Sequence, residues 1–226
     1  EMTTEQLSEI LQVRRDKLSD LKAAGKDPYQ ITKYDVDNDS ANIKANFDAL
    51  AEKTVSIAGR MVGRRIMGKA SFCNIQDSTG NIQVYVRRDD VGEEEYAAFK
   101  KYDIGDIIGF EGFVFKTKTE EISVHATGLK LLSKSLLPLP EKFHGLTNND
   151  LRFRQRYVDL IVNEGVKRNF IIRSQFIKFM RKYLDDMKYI EVETPVLNTI
   201  GGGAAARPFV THHDTLTIPT YMRIAT

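Results

Sequence analysis

At 226 residues, with 42% hydrophobic and 28% charged side chains and a net charge of +2, the chain has the composition of a soluble globular protein with room for one or two cores. A charge this small carries no argument for nucleic acid, so any such argument must come from where the charges sit. The single cysteine, Cys73, excludes an internal disulfide framework, and no apolar run approaches the length of a membrane span. The four histidines lack zinc-site spacing, and adjacent His212 and His213 would point apart on a strand, so no metal is expected. The chain reads as cytoplasmic, with no membrane partner. Glu1 precedes Met2, and Tyr221–Thr226 reads as a strand without a cap or polar tail, so a piece of a longer protein is expected.

Thr3 to Ala24 reads as an amphipathic helix. Thr3 with Gln6 fits a capping box, Leu7, Leu11, Leu18 and Leu21 recur at helical spacing, and Gly25 and Pro28 end it. Arg14, Arg15, Lys17 and Lys22 make its other side basic, either as a solvated face or as a contact to an RNA backbone. Asp35 to Asn42 is polar and reads as a loop.

From Val55 the period changes to two. Val55–Ile66, Ser71–Asp77, Ile82–Arg87, Asp106–Phe115 and Glu121–Leu132 read as strands, with glycines at 59, 63, 68, 80, 105, 109 and 112 marking turns or bulges. Glu93 to Tyr102, between the third and fourth strands, reads as a helix. Three strands, a helix and two strands is the order of an oligonucleotide-binding (OB-fold) β-barrel.

Alternation then sorts the faces. Cys73, Ile75, Ile82, Val84, Val86, Ile122 and Val124 point inward, which leaves Phe72, Asn74, Gln76, Gln83, Tyr85, Arg87, Glu121, Ser123 and His125 outside. An aromatic ring on a polar face can stack on an unpaired base, while amides and a carboxylate read its edge. Arg60, Arg64, Arg65 and Lys69 supply cations for phosphates. The opposing reading has Phe72 packed under the loop at Lys116–Glu120 and the polar residues merely solvated. Arg65 falls in phase with inward Ile57 and Met61 unless a glycine bulge intervenes.

Leu136-Leu137-Pro138-Leu139-Pro140 reads as a stiff connector. After it, Asn149 or Asp150 caps a helix over Leu151–Ile161. A longer helix, Val166–Lys188, places Ile172, Phe176, Met180, Leu184 and Met187 on one stripe, and a strand follows at Tyr189–Glu193. That stripe can pack within one subunit or between two. The domains expected are 1–54, helix and lead-in; 55–133, barrel; 134–148, linker; and 149–226, an α+β segment.

Gly59-Arg60, Arg64 to Phe72, and Asp77 through Gln83-Val84-Tyr85-Val86 together resemble the anticodon-binding barrel of bacterial-type class II lysyl-tRNA synthetases. The resemblance continues in order through Phe143-His144-Gly145-Leu146, Arg154 to Leu160, Glu191-Val192-Glu193-Thr194-Pro195 and Ala206 to His213. It implies that Phe72 stacks on the central uracil of a lysine anticodon, with Arg65, Gln83 and Glu121 contacting anticodon bases and His125 peripheral. It also implies that 149–226 is the incomplete start of a class II antiparallel-sheet catalytic domain, with the first class motif at Glu191–Pro195 building a homodimer. Gly203 by position resembles the family's lysine-binding glycine, although Gly201-Gly202-Gly203 also reads as a flexible loop without a ligand.

For the full-length protein the resemblance implies ATP-dependent activation of lysine, with Mg2+, and transfer to tRNA(Lys). Those steps build negative charge on phosphate oxygens, and in the family the stabilising groups come from the second and third class motifs, beyond Thr226. No catalytic residue is therefore assigned, Arg207 and Arg223 included, and no ATP or Mg2+ is expected on these residues. This piece is expected to bind the anticodon without lysine-dependent ATP–pyrophosphate exchange. A stand-alone RNA-binding module and an aspartyl- or asparaginyl-type ligase are the alternatives, the second disfavoured by the Ala206–His213 run.

Overall fold

The computed structural model describes residues 4–140, 145–163 and 165–225, with side chains from Ser8 onward. The Thr3–Gln6 capping pair and the Phe143-His144 part of a family motif lie outside the described residues, as does Thr226. The chain divides into two compact units, residues 1–162 and 163–226.

In the first unit, α1 (Thr4–Ala23) ends where Gly25 takes a φ of +71°, and a short 3-10 turn follows at Pro28–Gln30. The expected loop at Asp35–Asn42 gives way at Ser40 to α2 (Ser40–Ala45), followed by α3 (Phe47–Leu50). Asp39 caps α2 by accepting from the Asn42 N–H at 2.9 Å, a helix start too short to leave an apolar period. Five strands then close a barrel in the order β1-β2-β3-β5-β4: β1 (Thr54–Met67), β2 (Ala70–Gln76), β3 (Asn81–Arg87), β4 (Ile107–Lys116) and β5 (Ile122–Ser133). All pairings are antiparallel except β3 with β5. Between β3 and β4 lie α4 (Arg88–Val91) and α5 (Glu93–Lys101).

Alternation fills the interior: Val55, Ile57, Met61, Ile75, Val84, Ile108, Phe110 and Val124 are buried, and α5 adds Tyr96 and Phe99. Cys73 is part of this core, and burial pushes its thiol pKa up to about 12. A thiol held protonated and dry is inert. Cys73 is thus expected to ignore Ellman's reagent in the native protein and to react stoichiometrically in denaturant; rapid native labelling would contradict a closed barrel.

Two polar systems hold this unit together. Asp77 turns β2 into β3 by accepting from the Thr79 and Gly80 N–H groups at 2.7 and 2.9 Å, and it reaches Ser40 N–H at 2.6 Å and Ser40 Oγ at 2.8 Å. Burial alone would raise its pKa, but these hydrogen bonds hold it below the ordinary carboxylate value. At the other end, Lys134 is buried against Asp106 at 2.9 Å and also pairs with Asp103. Lys17 joins Asp103 at 2.6 Å, and Arg14, 8% exposed, donates to the carbonyls of Ser135 and Leu137 at 2.8 and 3.2 Å. The basic side of α1 is thus partly spent inside the molecule, which weakens its reading as an RNA-backbone contact.

The single helix expected over Leu151–Ile161 is two, α6 (Asn149–Arg154) and α7 (Arg156–Val162), capped by Asn148, whose Oδ1 accepts from the Leu151 N–H at 3.1 Å. The break at Gln155 lets Arg152, at 2.8 Å, and Arg156 both reach the buried carboxylate of Asp159.

The second unit holds α8 (Val166–Asp186) and a three-stranded antiparallel sheet, order β6-β8-β7, of β6 (Leu197–Asn198), β7 (Val210–His213) and β8 (Ile218–Met222). The strand expected at Tyr189–Glu193 does not form: the segment is exposed, no described strand lies beside it, and the Tyr189 N–H instead donates to the Leu184 carbonyl at the end of α8 at 3.0 Å. The α8 stripe is exposed too, with Phe176 at 60% and Met180 at 45%. No helix among the described residues is long and apolar enough to cross a membrane.

Candidate nucleic-acid interface

The outer face of the barrel is set by one irregularity. Met61 pairs with Ile75 but Gly63 pairs with Asn74, so Val62 is bulged out and every later residue of β1 shifts by one. Arg65 therefore leaves the inward phase of Ile57 and Met61 and lies opposite Phe72 on the outside, its guanidinium 5.8 Å from the centre of the Phe72 ring.

From that pair the strand registers continue across the barrel: Phe72 opposite Tyr85, Tyr85 opposite His125, His125 opposite Phe113. Ring centres are 4.9, 5.0 and 4.6 Å apart along this row, and Phe115 adds a further ring 6.2 Å from Tyr85. The face is thus a ladder of flat groups, where alternation pointed to one ring among polar residues. Phe72, Tyr85, Phe113, Phe115 and His125 are all partly open to solvent. His125 is fixed by Asp90 of α4, whose carboxylate lies 2.7 Å from Nε2.

Polar groups border the ladder. Gln83 sits diagonal to Phe72, opposite Asn74 and Ser123, and its Oε1 accepts from the Ser123 hydroxyl at 3.0 Å, which leaves its amide N–H groups without a partner among the described residues. Glu121 is exposed, with the Lys44 ammonium of α2 3.7 Å away. Arg65 makes no ion pair among the described residues. Arg60 and Arg64, expected to hold phosphates, point elsewhere. Arg60 donates to the Gly105 carbonyl at 2.8 Å, and burial lowers its pKa. Arg64 donates to the Phe99 and Tyr102 carbonyls at 2.8 and 2.7 Å, satisfying the C-terminus of α5. Lys69 remains exposed at the β1–β2 turn.

Arg65, Phe72, Gln83 and Glu121 therefore share one unit and one outer surface, while Gly203 lies in the second unit. Its φ is +103°, a conformation that favours glycine, and a Cβ there would come 3.1 Å from the Ala225 side chain. His212 and His213 take separate partners, Asp214 at 3.1 Å and the Leu216 N–H at 3.3 Å. The sequence reading missed Phe113, Phe115 and Lys44. It counted Tyr85 as outward without counting its ring; the signal available was the aromatic pair Phe113-Val114-Phe115 flanking a buried valine.

The closed five-stranded barrel has the OB-fold architecture: residues 55–132 match the family described as "OB-fold nucleic acid binding domain", and residues 148–226 match "tRNA synthetases class II (D, K and N)". Lysine–tRNA ligases are among the proteins similar to the chain. Those of Clostridium tetani (strain Massachusetts / E88) and Thermoanaerobacter sp. (strain X514) are each 54% identical over 98% of this chain, and that of Clostridium botulinum (strain Hall / ATCC 3502 / NCTC 13319 / Type A) is 51% identical over the same share. The chain spans 44% of the length of each. Similarity running through barrel and second unit alike disfavours the stand-alone module, and these relatives disfavour the aspartyl and asparaginyl reading.

Proposed function

We propose that the chain is the anticodon-reading part of a lysine–tRNA ligase, holding the anticodon loop of tRNA(Lys) on the outer face of its barrel. The observation that carries this is the single-register ladder from Arg65 through Phe72, Tyr85 and His125 to Phe113. Every base has a π-face, so a ladder of rings takes consecutive unpaired bases, and polar groups beside it set the sequence. Phe72 stacks on the central base, the free amide N–H groups of Gln83 donate to a base acceptor, Glu121 accepts from a base N–H, and Arg65 pairs with a phosphate or base edge.

In the whole ligase, lysine and ATP are the substrates, with Mg2+ supplying charge neutralisation at the phosphates. Among the described residues no group of three or more His, Cys, Asp or Glu side chains converges to hold a metal. Gly203 is the residue proposed to approach the lysine substrate, on the strength of its positive φ. The homodimer is supported by the exposed apolar stripe of α8, and the assignment to the cytoplasm by the substrates.

The test is titration with an anticodon stem-loop carrying UUU and one whose central base is changed. The changed loop is expected to bind at least tenfold more weakly, about 1.4 kcal/mol. Equal affinities would remove the base-reading claim and leave general RNA binding.

A further inference from the structure

Lys44 stands beside the Glu121 carboxylate although it belongs to the lead-in and not to the barrel. Its helix, α2, is fastened down by contacts of its own. The Asp77 carboxylate takes the Ser40 N–H at 2.6 Å and the Ser40 hydroxyl at 2.8 Å, and the Thr79 hydroxyl lies 2.9 Å from the Asp39 carboxylate and 3.2 Å from the Ala41 N–H. Ile43 is fully buried in the barrel core. The next residue, Lys44, is exposed, and its ammonium lies 3.7 Å from Glu121 Oε1. Glu121 is held from its own side: its N–H donates to the Thr117 hydroxyl at 3.1 Å and its carbonyl accepts from the Thr117 N–H at 3.0 Å. Two separately anchored backbones thus present opposite charges at the polar border of the ring ladder.

Folding does not account for this pair. Its side chains are 44% and 50% exposed, and an ion pair in that setting adds little stability. The separation is longer than a hydrogen bond, so the three ammonium donors stay open to another acceptor. Arg60 and Arg64 are spent on backbone carbonyls, Arg87 on Asp89 and Asp90, and Lys116 on Glu120 and the Phe47 ring. Lys44 differs in that its ion-pair partner is itself proposed to read a base. When Glu121 turns to a base N–H, the ammonium loses its counter-charge beside a ligand that carries a phosphate at every nucleotide. A carboxylate left alone there would repel that backbone.

We propose that Lys44 and Glu121 form a clamp on one nucleotide, the ammonium holding a phosphate of the nucleotide whose base edge Glu121 reads. The ligand class is a ribonucleotide with an N–H on its base edge, within an unpaired stretch. This rests on the reading of Glu121 as a base contact. The flexible stem of lysine lets the charge move from the carboxylate to the phosphate while α2 stays in place.

The test is anisotropy titration of the whole chain with the UUU stem-loop, and with the loop whose central base is changed, over a series of salt concentrations. Lys44→Gln is expected to weaken both loops by the same factor, about threefold or more, and to flatten the log–log salt dependence by about 0.7, the share of one phosphate on a single strand. Lys44→Arg keeps the charge and should keep the parent slope. Lys130→Gln, at an exposed lysine in the last third of β5, controls for net charge and should also keep it. A merely structural Lys44, propping Glu121, would change the ratio between the two loops and leave the slope alone. A parent-like slope in Lys44→Gln, or equal flattening in Lys130→Gln, would overturn the clamp. A parent chain that binds both loops equally would instead remove base reading, and the slopes would still decide the phosphate contact.

Discussion

Phe72→Ala is expected to weaken binding of a UUU anticodon stem-loop by about 5- to 150-fold, the equivalent of about 1 to 3 kcal/mol of lost base stacking. The ring is partly open to solvent, with Arg65 on one side and Tyr85 on the other, so truncation removes a platform without opening the interior. The interior beneath is made by Cys73 and Ile75, whose side chains point the other way. Phe72→Tyr keeps the π-face and is expected to bind nearly as well as the parent. The salt dependence of binding should be unchanged in both, since stacking releases no counterions. Fluorescence anisotropy at two salt concentrations measures both quantities. An alanine variant that binds like the parent would assign Phe72 to packing alone.

Gly112→Ala is expected to cost about 3 kcal/mol or more of stability, a shift that a urea midpoint reads directly. A Cβ at Gly112 would stand 2.0 Å from the His125 carbonyl oxygen and 2.9 Å from Ala126 Cα. Both are backbone atoms of the paired strand, so no rotamer change relieves the overlap. The position lies beside a register shift, where Glu111 pairs with Gly128 and Gly112 with Ala126. Gly128→Ala is the matched control, because a Cβ there meets its nearest atom at 3.8 Å, and it should unfold close to the parent. The Gly112 clash falls on the residue that carries the middle of the ring ladder, so RNA affinity should fall along with stability.

The strands of the barrel were legible because each has a dry face and a wet face, and that requirement writes a period of two into Ile82-Gln83-Val84-Tyr85-Val86. The bulge at Val62 was not, because it arises from the geometry of pairing with β2, and the side to which Arg65 belongs depends on it. Arg60 and Arg64 read as phosphate ligands for a similar reason. Nothing local distinguishes an arginine that faces solvent from one that satisfies the carbonyls ending α5, and only the packing of that helix decides it. The ladder itself is a property of lateral register: Phe72, Tyr85, His125 and Phe113 lie on four strands and meet only once the barrel closes. Tyr189–Glu193 was misread in the opposite direction. Its residues have strand character, but a strand exists only where another backbone takes its hydrogen bonds.

The parallel pairing of β3 with β5 has a consequence for the order in which the surface is made. Phe72 and Tyr85 arrive with the first three strands, yet the groups that extend their row, Phe113 and His125, come on β4 and β5. Until β5 is in place β3 has an open edge, and the apolar sides of the first three strands have nothing to close over them. A chain leaving the ribosome therefore holds at most the Arg65–Phe72–Tyr85 part of the row. It acquires the whole of it when Ile122–Ser133 inserts between β3 and β4.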